Sequence, residues 1–329
     1  EKSYAKKGQN IVEANWKAID AGATAYRKFE VPADWANAED EKVELTLEGR
    51  EAIVKQVREL MEPINRMDGD SLPVSKFVDV ADGQWELGAS AYEKRGVAVM
   101  VPHWDESKCI QCNQCSFVCP HATIRPIVMN ADEQAAAPEE MRRIDVMVPK
   151  NSGLTFTMAI SPLDCMGCTN CVKVCPKGAL TMVPQESELD QAPVWDYAVN
   201  KVSEKKELVA ANVKGSQFAK PYLEFSGSCA GCAETAYARL VTQVCGERMF
   251  ISNATGCSSI WGNPAATSPF TVNECGHGPA WNNSLFEDNA EHGLGLALGY
   301  DAVQEKIVAE TEKILQCDKA SDALKEAAT

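Results

Sequence analysis

A chain of 329 residues has room for more than one domain, since single hydrophobic cores stop growing at a few hundred residues. Its composition, 45% hydrophobic and 24% charged, is that of a globular protein. No apolar run reaches the roughly 20 residues of a membrane-spanning helix, so a soluble, cytoplasmic protein is expected. The net charge of -15 argues against nucleic acid, whose phosphates recruit basic patches, and against an anionic membrane surface. Glu1-Lys2-Ser3-Tyr4 shows neither an initiator methionine nor a signal-peptide pattern, and the chain reads as a segment of something longer.

In chain order, residues 10 to 27 place Val12, Trp16, Ile19, Ala23 and Tyr26 on one helix face, with Asn10 as N-cap after Gly8. Val31-Pro32-Ala33-Asp34-Trp35 and Glu39-Asp40-Glu41 form a surface connection. A second helix spans about 49 to 66, its buried stripe being Ile53, Val57, Leu60 and Ile64. A strand from Gly96 to Val101 ends at Pro102. After it, residues 131 to 140 read as an exposed insertion, and Arg143 to Val148 and Leu154 to Ile160 as strands. A charged link covers about 184 to 215. A third region comes next, with a helix over 233 to 245, a strand over 248 to 252, a Gly/Asn/Pro-rich span to about 283 and helices from 284 to 317.

Fourteen cysteines in a chain of this length point to metal ligands in a reducing compartment rather than to the disulfide framework of a small secreted domain. Eight of them form an internal repeat. Cys109, Cys112, Cys115 and Cys119 recur 56 positions on as Cys165, Cys168, Cys171 and Cys175, and Pro120 and Pro176 keep the same offset. A cubane cluster needs four converging thiolates. Three can come from one tight loop; in two-cluster ferredoxins the last cysteine of each run serves the other cluster, and the proline turns the chain away. The spacing therefore assigns Cys109, Cys112, Cys115 and Cys175 to one 4Fe-4S cluster and Cys165, Cys168, Cys171 and Cys119 to a second. Zinc is the competing reading, but its sites rarely use four cysteines per run, duplicated with a proline after each. Ile110, Phe117, Val118, Met166, Val172 and Val174 would exclude water from the clusters or simply pack the core.

Downstream lie Gly227-Ser228-Cys229-Ala230-Gly231-Cys232-Ala233-Glu234-Thr235 and Asn253-Ala254-Thr255-Gly256-Cys257-Ser258-Ser259. A Cys-x2-Cys turn before a helix and a third thiol at a strand end leave three readings open: a metal or cluster site, a redox-active dithiol, or inert buried thiols.

At these residues the sequence resembles the pyruvate:ferredoxin (flavodoxin) oxidoreductases, thiamine-diphosphate enzymes also called pyruvate synthases. The resemblance covers nearly the whole chain. It rests on the two ferredoxin runs, on the two segments just quoted, on Lys6-Lys7-Gly8 with Asn15-Trp16, and on His277-Gly278-Pro279-Ala280-Trp281-Asn282-Asn283-Ser284-Leu285-Phe286-Glu287-Asp288-Asn289-Ala290-Glu291. It implies an α+β multidomain chain: a helical lead-in over 1–95, a bacterial-type two-cluster ferredoxin module over 96–190, and the N-terminal part of an α/β thiamine-diphosphate domain over 191–329.

By the same resemblance Cys229, Cys232 and Cys257 hold a third, proximal 4Fe-4S cluster whose fourth ligand lies outside this segment. Glu234 and Cys257 lie against thiamine diphosphate, and Asn15 touches coenzyme A. Cys245, Cys275 and Cys317 fit no family ligand position. The Gly-Asp-Gly motif that binds the magnesium of the diphosphate is absent from the third region, and Gly69-Asp70-Ser71 reads as a turn. His103, His121, His277 and His292 read as structural or surface histidines.

The implied function is oxidative decarboxylation of pyruvate with coenzyme A, electrons leaving through three clusters to ferredoxin or flavodoxin in a homodimeric enzyme. The alternatives are a separate electron-transfer subunit and an oxidoreductase for another 2-oxo acid such as 2-oxoglutarate.

Overall fold

The fold is taken from a computed structural model that describes residues 2–37, 47–147, 152–262 and 267–329. Two units, Glu1–Thr46 and Leu47–Thr329, are each compact. In the first, helix α1 (Gln9–Gly22) starts from Gly8 rather than from Asn10 and stops short of residue 27. Val12 is buried, but Trp16, Ile19 and Tyr26 of the expected apolar face are exposed. Ala33–Asn37 is a 3-10 turn. The expected acidic connection Glu39-Asp40-Glu41 lies outside the described residues.

The second unit opens with α2 (Glu51–Gln56), which passes through a π-helical turn, Val57–Met61, into α3 (Glu62–Asn65). Ile53, Val57, Leu60 and Met61 are buried. Ile64 is not, because the wider π turn rotates α3 off the buried face. Gly69–Ser71 forms the expected turn.

The central module is built twice. Strand β1 (Met100–Trp104) and helix α4 (Gln114–Phe117) lead to β2 (Ile124–Met129), α5 (Ala131–Ala135) and β3 (Ile144–Asp145). Strand β4 (Thr155–Ile160), α6 (Asn170–Val174) and β5 (Leu180–Pro184) complete it. β1 pairs antiparallel with β5 and β2 with β4. The 56-residue offset of the cysteines is carried into the register. Met100 opposes Pro184, and 56 positions away in each strand Phe156 opposes Val128. Trp104, Ile124, Val128, Phe156, Met158, Ile160 and Leu180 form the shared core.

Three expectations for this module change. The first strand begins at Met100 and runs through Pro102, which an edge strand tolerates because β1 has a neighbour on one side only. Residues 131 to 140 hold α5, started by a reciprocal capping box between Asn130 and Glu133. The strand expected from Arg143 shrinks to β3, and its end at Val148 lies outside the described residues.

The charged link also contains structure. Helix α7 (Gln191–Asn200) buries Val194, Trp195 and Ala198 with Met129 and Ala159, and Trp195 stands edge-on to Phe225 at 6.0 Å. After α8 (Val213–Ser216) the third region continues as α9 (Ala233–Cys245), β6 (Phe250–Ala254), α10 (Cys257–Gly262), β7 (Ala280–Ser284), α11 (Asn289–Gln316) and α12 (Asp322–Ala327). β6 and β7 are parallel, as an α/β region requires. Among the described residues no helix is long and apolar enough to cross a membrane.

Candidate metal centre

The two cysteine loops share one backbone geometry. Gln111 and Gly167, Asn113 and Thr169, and Ala122 and Gly178 all have positive φ, each pair 56 positions apart. Such turns bring backbone N–H groups onto sulfur. Gln111 N–H donates to Cys109 Sγ and Gly167 N–H to Cys165 Sγ, both at 3.4 Å, and Ala179 N–H donates to Cys175 Sγ at 3.2 Å. N–H donors of this kind favour the thiolate form that iron binds.

Neighbourhood among the thiols crosses between the runs. Burial pushes the Cys115 thiol well above its ordinary range, and Cys109, Cys112 and Cys175 beside it push the same way. Burial likewise raises Cys171, with Cys119, Cys165, Cys115 and Cys168 adding to it. Cys165 is pushed to about 12, first by burial and then by Cys119 and Cys168, against the Gly167 N–H. Cys175 is thus a neighbour of Cys115 in the first run and Cys119 a neighbour of Cys165, Cys168 and Cys171 in the second, while Cys115 and Cys171 are near enough to act on each other. All these cysteines are free thiols.

A single zinc ion would hold thiolates within about 3.8 Å of one another. Among the described residues no group of three or more His, Cys, Asp or Glu is placed to hold one metal ion. Packed, buried thiols whose pKa values are raised are costly as thiolates, and a four-iron cluster is a donor set's remedy for that. Of the apolar neighbours, Ile110 is 41% exposed and does not shield its loop from water.

Cys229 and Cys232 flank a turn that lies on the second loop. Gly231 has φ +77°, and a Cβ there would stand 3.5 Å from the Cys168 Cβ. The Gly231 N–H faces the Cys168 thiol and favours its thiolate, against the burial that raises it. Buried hydrogen bonds hold this turn. Ser228 Oγ lies 3.0 Å from both His121 Nε2 and Thr235 Oγ1, and His121 directly follows Cys119-Pro120. His121 therefore has the expected structural role, its pKa lowered first by burial.

Cys232 caps α9 and Cys257 opens α10. The end of α10 is tied to the start of α9 where Trp261 Nε1 donates to Glu234 Oε2 at 3.2 Å. The loop before Cys257 is pinned where Ser258 Oγ donates to Asn253 Oδ1 at 2.6 Å and Asn253 Nδ2 to Asn283 Oδ1 at 2.8 Å. Cys229 and Cys257 are exposed and Cys232 is half-buried. Cys257 follows the C-terminal end of β6, a parallel strand, which is where α/β folds place their sites, whereas Cys229 and Cys232 flank the turn on Cys168; among the described residues the three are not set as a group that would hold one metal ion.

Asn15 is exposed on α1, its Nδ2 donating to Ile11 O at 2.8 Å. His103 Nδ1 lies 2.6 Å from Glu188 Oε1, beside Arg142. His292 Nδ1 lies 2.9 Å from Ser252 Oγ, and His277 is exposed on its own loop. Cys245, Cys275 and Cys317 are exposed. Spacing within the sequence does not disclose the Gly231 contact, nor the bonds from Lys94 Nζ to Asp164 Oδ2 at 2.8 Å and from Arg95 to Ser226 O at 3.4 Å, which join segments far apart in the chain.

Residues 108–179 match the family model of a 4Fe-4S dicluster domain, and residues 44–98 match one called EKR, a domain of unknown function. The chain is 47% identical to the pyruvate-flavodoxin oxidoreductase of Klebsiella pneumoniae over 331 residues, 99% of this chain and 28% of that protein. It is 48% identical to the pyruvate:ferredoxin oxidoreductase of Moorella thermoacetica over 319 residues, 96% of this chain and 27% of that protein. Against the pyruvate dehydrogenase [NADP(+)] of Cryptosporidium parvum the identity is 41% over 363 residues, 97% of this chain and 18% of that protein. The chain thus spans under a third of the length of these curated relatives. Its middle is a ferredoxin-like 4Fe-4S domain of mixed helix and sheet.

Proposed function

We propose that this chain is the electron-transfer portion of a pyruvate:ferredoxin or pyruvate:flavodoxin oxidoreductase. The reaction converts pyruvate and coenzyme A to acetyl-coenzyme A, carbon dioxide, two electrons and a proton. The observation that carries the reading is the seating of the Cys229–Cys232 turn on Cys168, which joins a third cysteine site to the ferredoxin module.

In this reading Cys109, Cys112, Cys115 and Cys175 hold one 4Fe-4S cluster and Cys119, Cys165, Cys168 and Cys171 the second. Cys229, Cys232 and Cys257 hold a proximal third, with one ligand from elsewhere in the enzyme. Thiamine diphosphate, when bound with its magnesium ion, supplies the carbanion chemistry that releases carbon dioxide. Glu234, in the first turn of α9, and Cys257, at the start of α10, would hold that cofactor, and Asn15 would contribute to holding coenzyme A. The backbone N–H groups of Gln111, Gly167, Ala179 and Gly231 stabilise the thiolates that would ligate the irons taking up each electron. The domains are 1–95, 96–190 and 191–329, the last being the first part of a thiamine-diphosphate domain. The enzyme is a homodimer. Free thiols in this number belong to a reducing cytoplasm.

The relative named for NADP(+) favours a second reading of the acceptor, in which the same clusters deliver electrons towards a nicotinamide. The test is turnover of the full-length protein with pyruvate and coenzyme A, offering ferredoxin, flavodoxin or NADP(+), and with 2-oxoglutarate as the rival substrate. Pyruvate with a protein carrier is expected to be preferred. Cys257→Ala is expected to lose turnover, and undiminished pyruvate oxidation in that variant would sink the assignment.

A further inference from the structure

Glu93-Lys94-Arg95 lies within residues 44–98, the stretch matched by the domain of unknown function. It stands between the second cysteine loop and the segment that enters the third site. Lys94 has φ +44°, a left-handed backbone that a side-chain-bearing residue keeps only where its surroundings impose it. Lys94 Nζ donates to Asp164 Oδ2 at 2.8 Å, and Asp164 immediately precedes Cys165. The Asp164 side chain is 2% exposed and also accepts from Ser161 Oγ at 2.6 Å, so it is fixed in the loop that carries the cysteines. A buried carboxylate without its cation is costly, which makes Lys94 more than a surface partner. Next to it, Gly96 N–H donates to Leu163 O at 2.8 Å.

The other side of the triad grips the third site's approach. Lys94 Nζ lies 5.5 Å above the Phe225 ring. The Arg95 guanidinium reaches Ser226 O at 3.4 Å and Phe225 O at 3.5 Å, and it lies 3.9 Å from where a Gly227 Cβ would stand. Glu93 pairs with Arg95 and aims it. Two residues after Gly227 the chain reaches Cys229. Lys94 also lies 3.9 Å from Asp196, which is exposed and adds little.

We infer that Glu93, Lys94 and Arg95 are positioning residues that hold the segment entering Cys229 and Cys232 against the Cys165–Cys171 loop. They thereby set the separation and coupling of the third and second iron-sulfur sites. The inference rests on the reading of Cys229, Cys232 and Cys257 as a cluster site. The step served is the passage of one electron. A cluster held at the third site would give up that electron to one held by the Cys165 loop, and no bond or proton would move.

The test uses the full-length holoenzyme with Lys94→Met, and Lys94→Arg as its conservative partner. Iron content, the magnetic interaction between reduced clusters in electron paramagnetic resonance, and the rate at which pyruvate reduces the ferredoxin-like clusters are read together. Lys94→Met is expected to keep its iron, to change the interaction splitting and to slow the transfer by about tenfold or more, as geometry-dependent steps do. Lys94→Arg is expected to restore both. If Lys94→Met binds less iron, Lys94→Gln against Lys94→Arg gives the same two readouts. Unchanged splitting and rate, or iron loss in all three variants, would overturn the inference. A parent protein with about eight irons per chain would instead overturn the third-cluster reading itself.

Discussion

Gly167 and Gln111 occupy equivalent turns in the two cysteine loops, yet only one needs to be glycine. A Cβ at Gly167 would stand 3.0 Å from Met100 O, whereas Gln111 keeps its positive φ by donating its amide to Asp145 O at 2.7 Å and accepting from Met147 N–H at 2.9 Å. Gly167→Ala is therefore expected to cost about 1–3 kcal/mol in a denaturant titration, with loss of iron from the second loop first. Stability equal to the parent would show that the loop relaxes freely. The eight ferredoxin-type cysteines are legible in the sequence because their geometry is local, a matter of spacing within a few residues. Gly231 is not, since its meaning lies in touching Cys168, and no spacing rule links two loops so far apart. Lys94 and Arg95 are hidden for the same reason: a charged triplet in a sequence reads as solvated surface.

At the scale of elements, helical periodicity locates α9 at its observed bounds and the α2–α3 helix closely, but misses features that depend on partners. The π turn at Val57–Met61 displaces Ile64 from its stripe. α7 is hidden among the charges that flank it, although Pro193 sits in its first turn, where a helix tolerates proline. α5 reads from the sequence as an exposed loop, and its Asn130–Glu133 capping box is what starts it. That box carries a prediction. Burial raises the Glu133 pKa, but bonds from Lys205, Ser203 and the Asn130 N–H outweigh it and hold the carboxyl at about 2, below its ordinary 4.5. A lowered carboxylate pKa means that the unfolded chain takes up protons first as pH falls, so its stabilisation is complete above about 4.5 and fades as pH drops towards 2. Glu133→Gln is expected to cost about 1–2 kcal/mol at neutral pH, by denaturant titration, with the gap to the parent narrowing below about 4.5. A gap independent of pH would assign the loss to packing alone.

At the scale of the cysteine repeat, the proposed crossed ligand sets would tie its two halves together, each cluster stapling both loops. Crossing can be counted. Cys109→Ser with Cys175→Ser removes one cluster if both residues ligate it and two if they do not. The double variant is expected to lose about four irons rather than about eight, and a loss of eight would favour uncrossed runs. The repeat and its clusters can be read from the sequence, as can the parallel, α/β character of the third region. The position of that region on the module cannot, because it rests on buried bonds such as Ser228 to His121 and on the left-handed turn at Gly231 that lies against Cys168.

The proposed third cluster can be counted directly, as iron and sulfide per polypeptide in the full-length protein and in Cys257→Ala. About twelve irons are expected in the parent and about eight in the variant. About eight in both would contradict a third cluster.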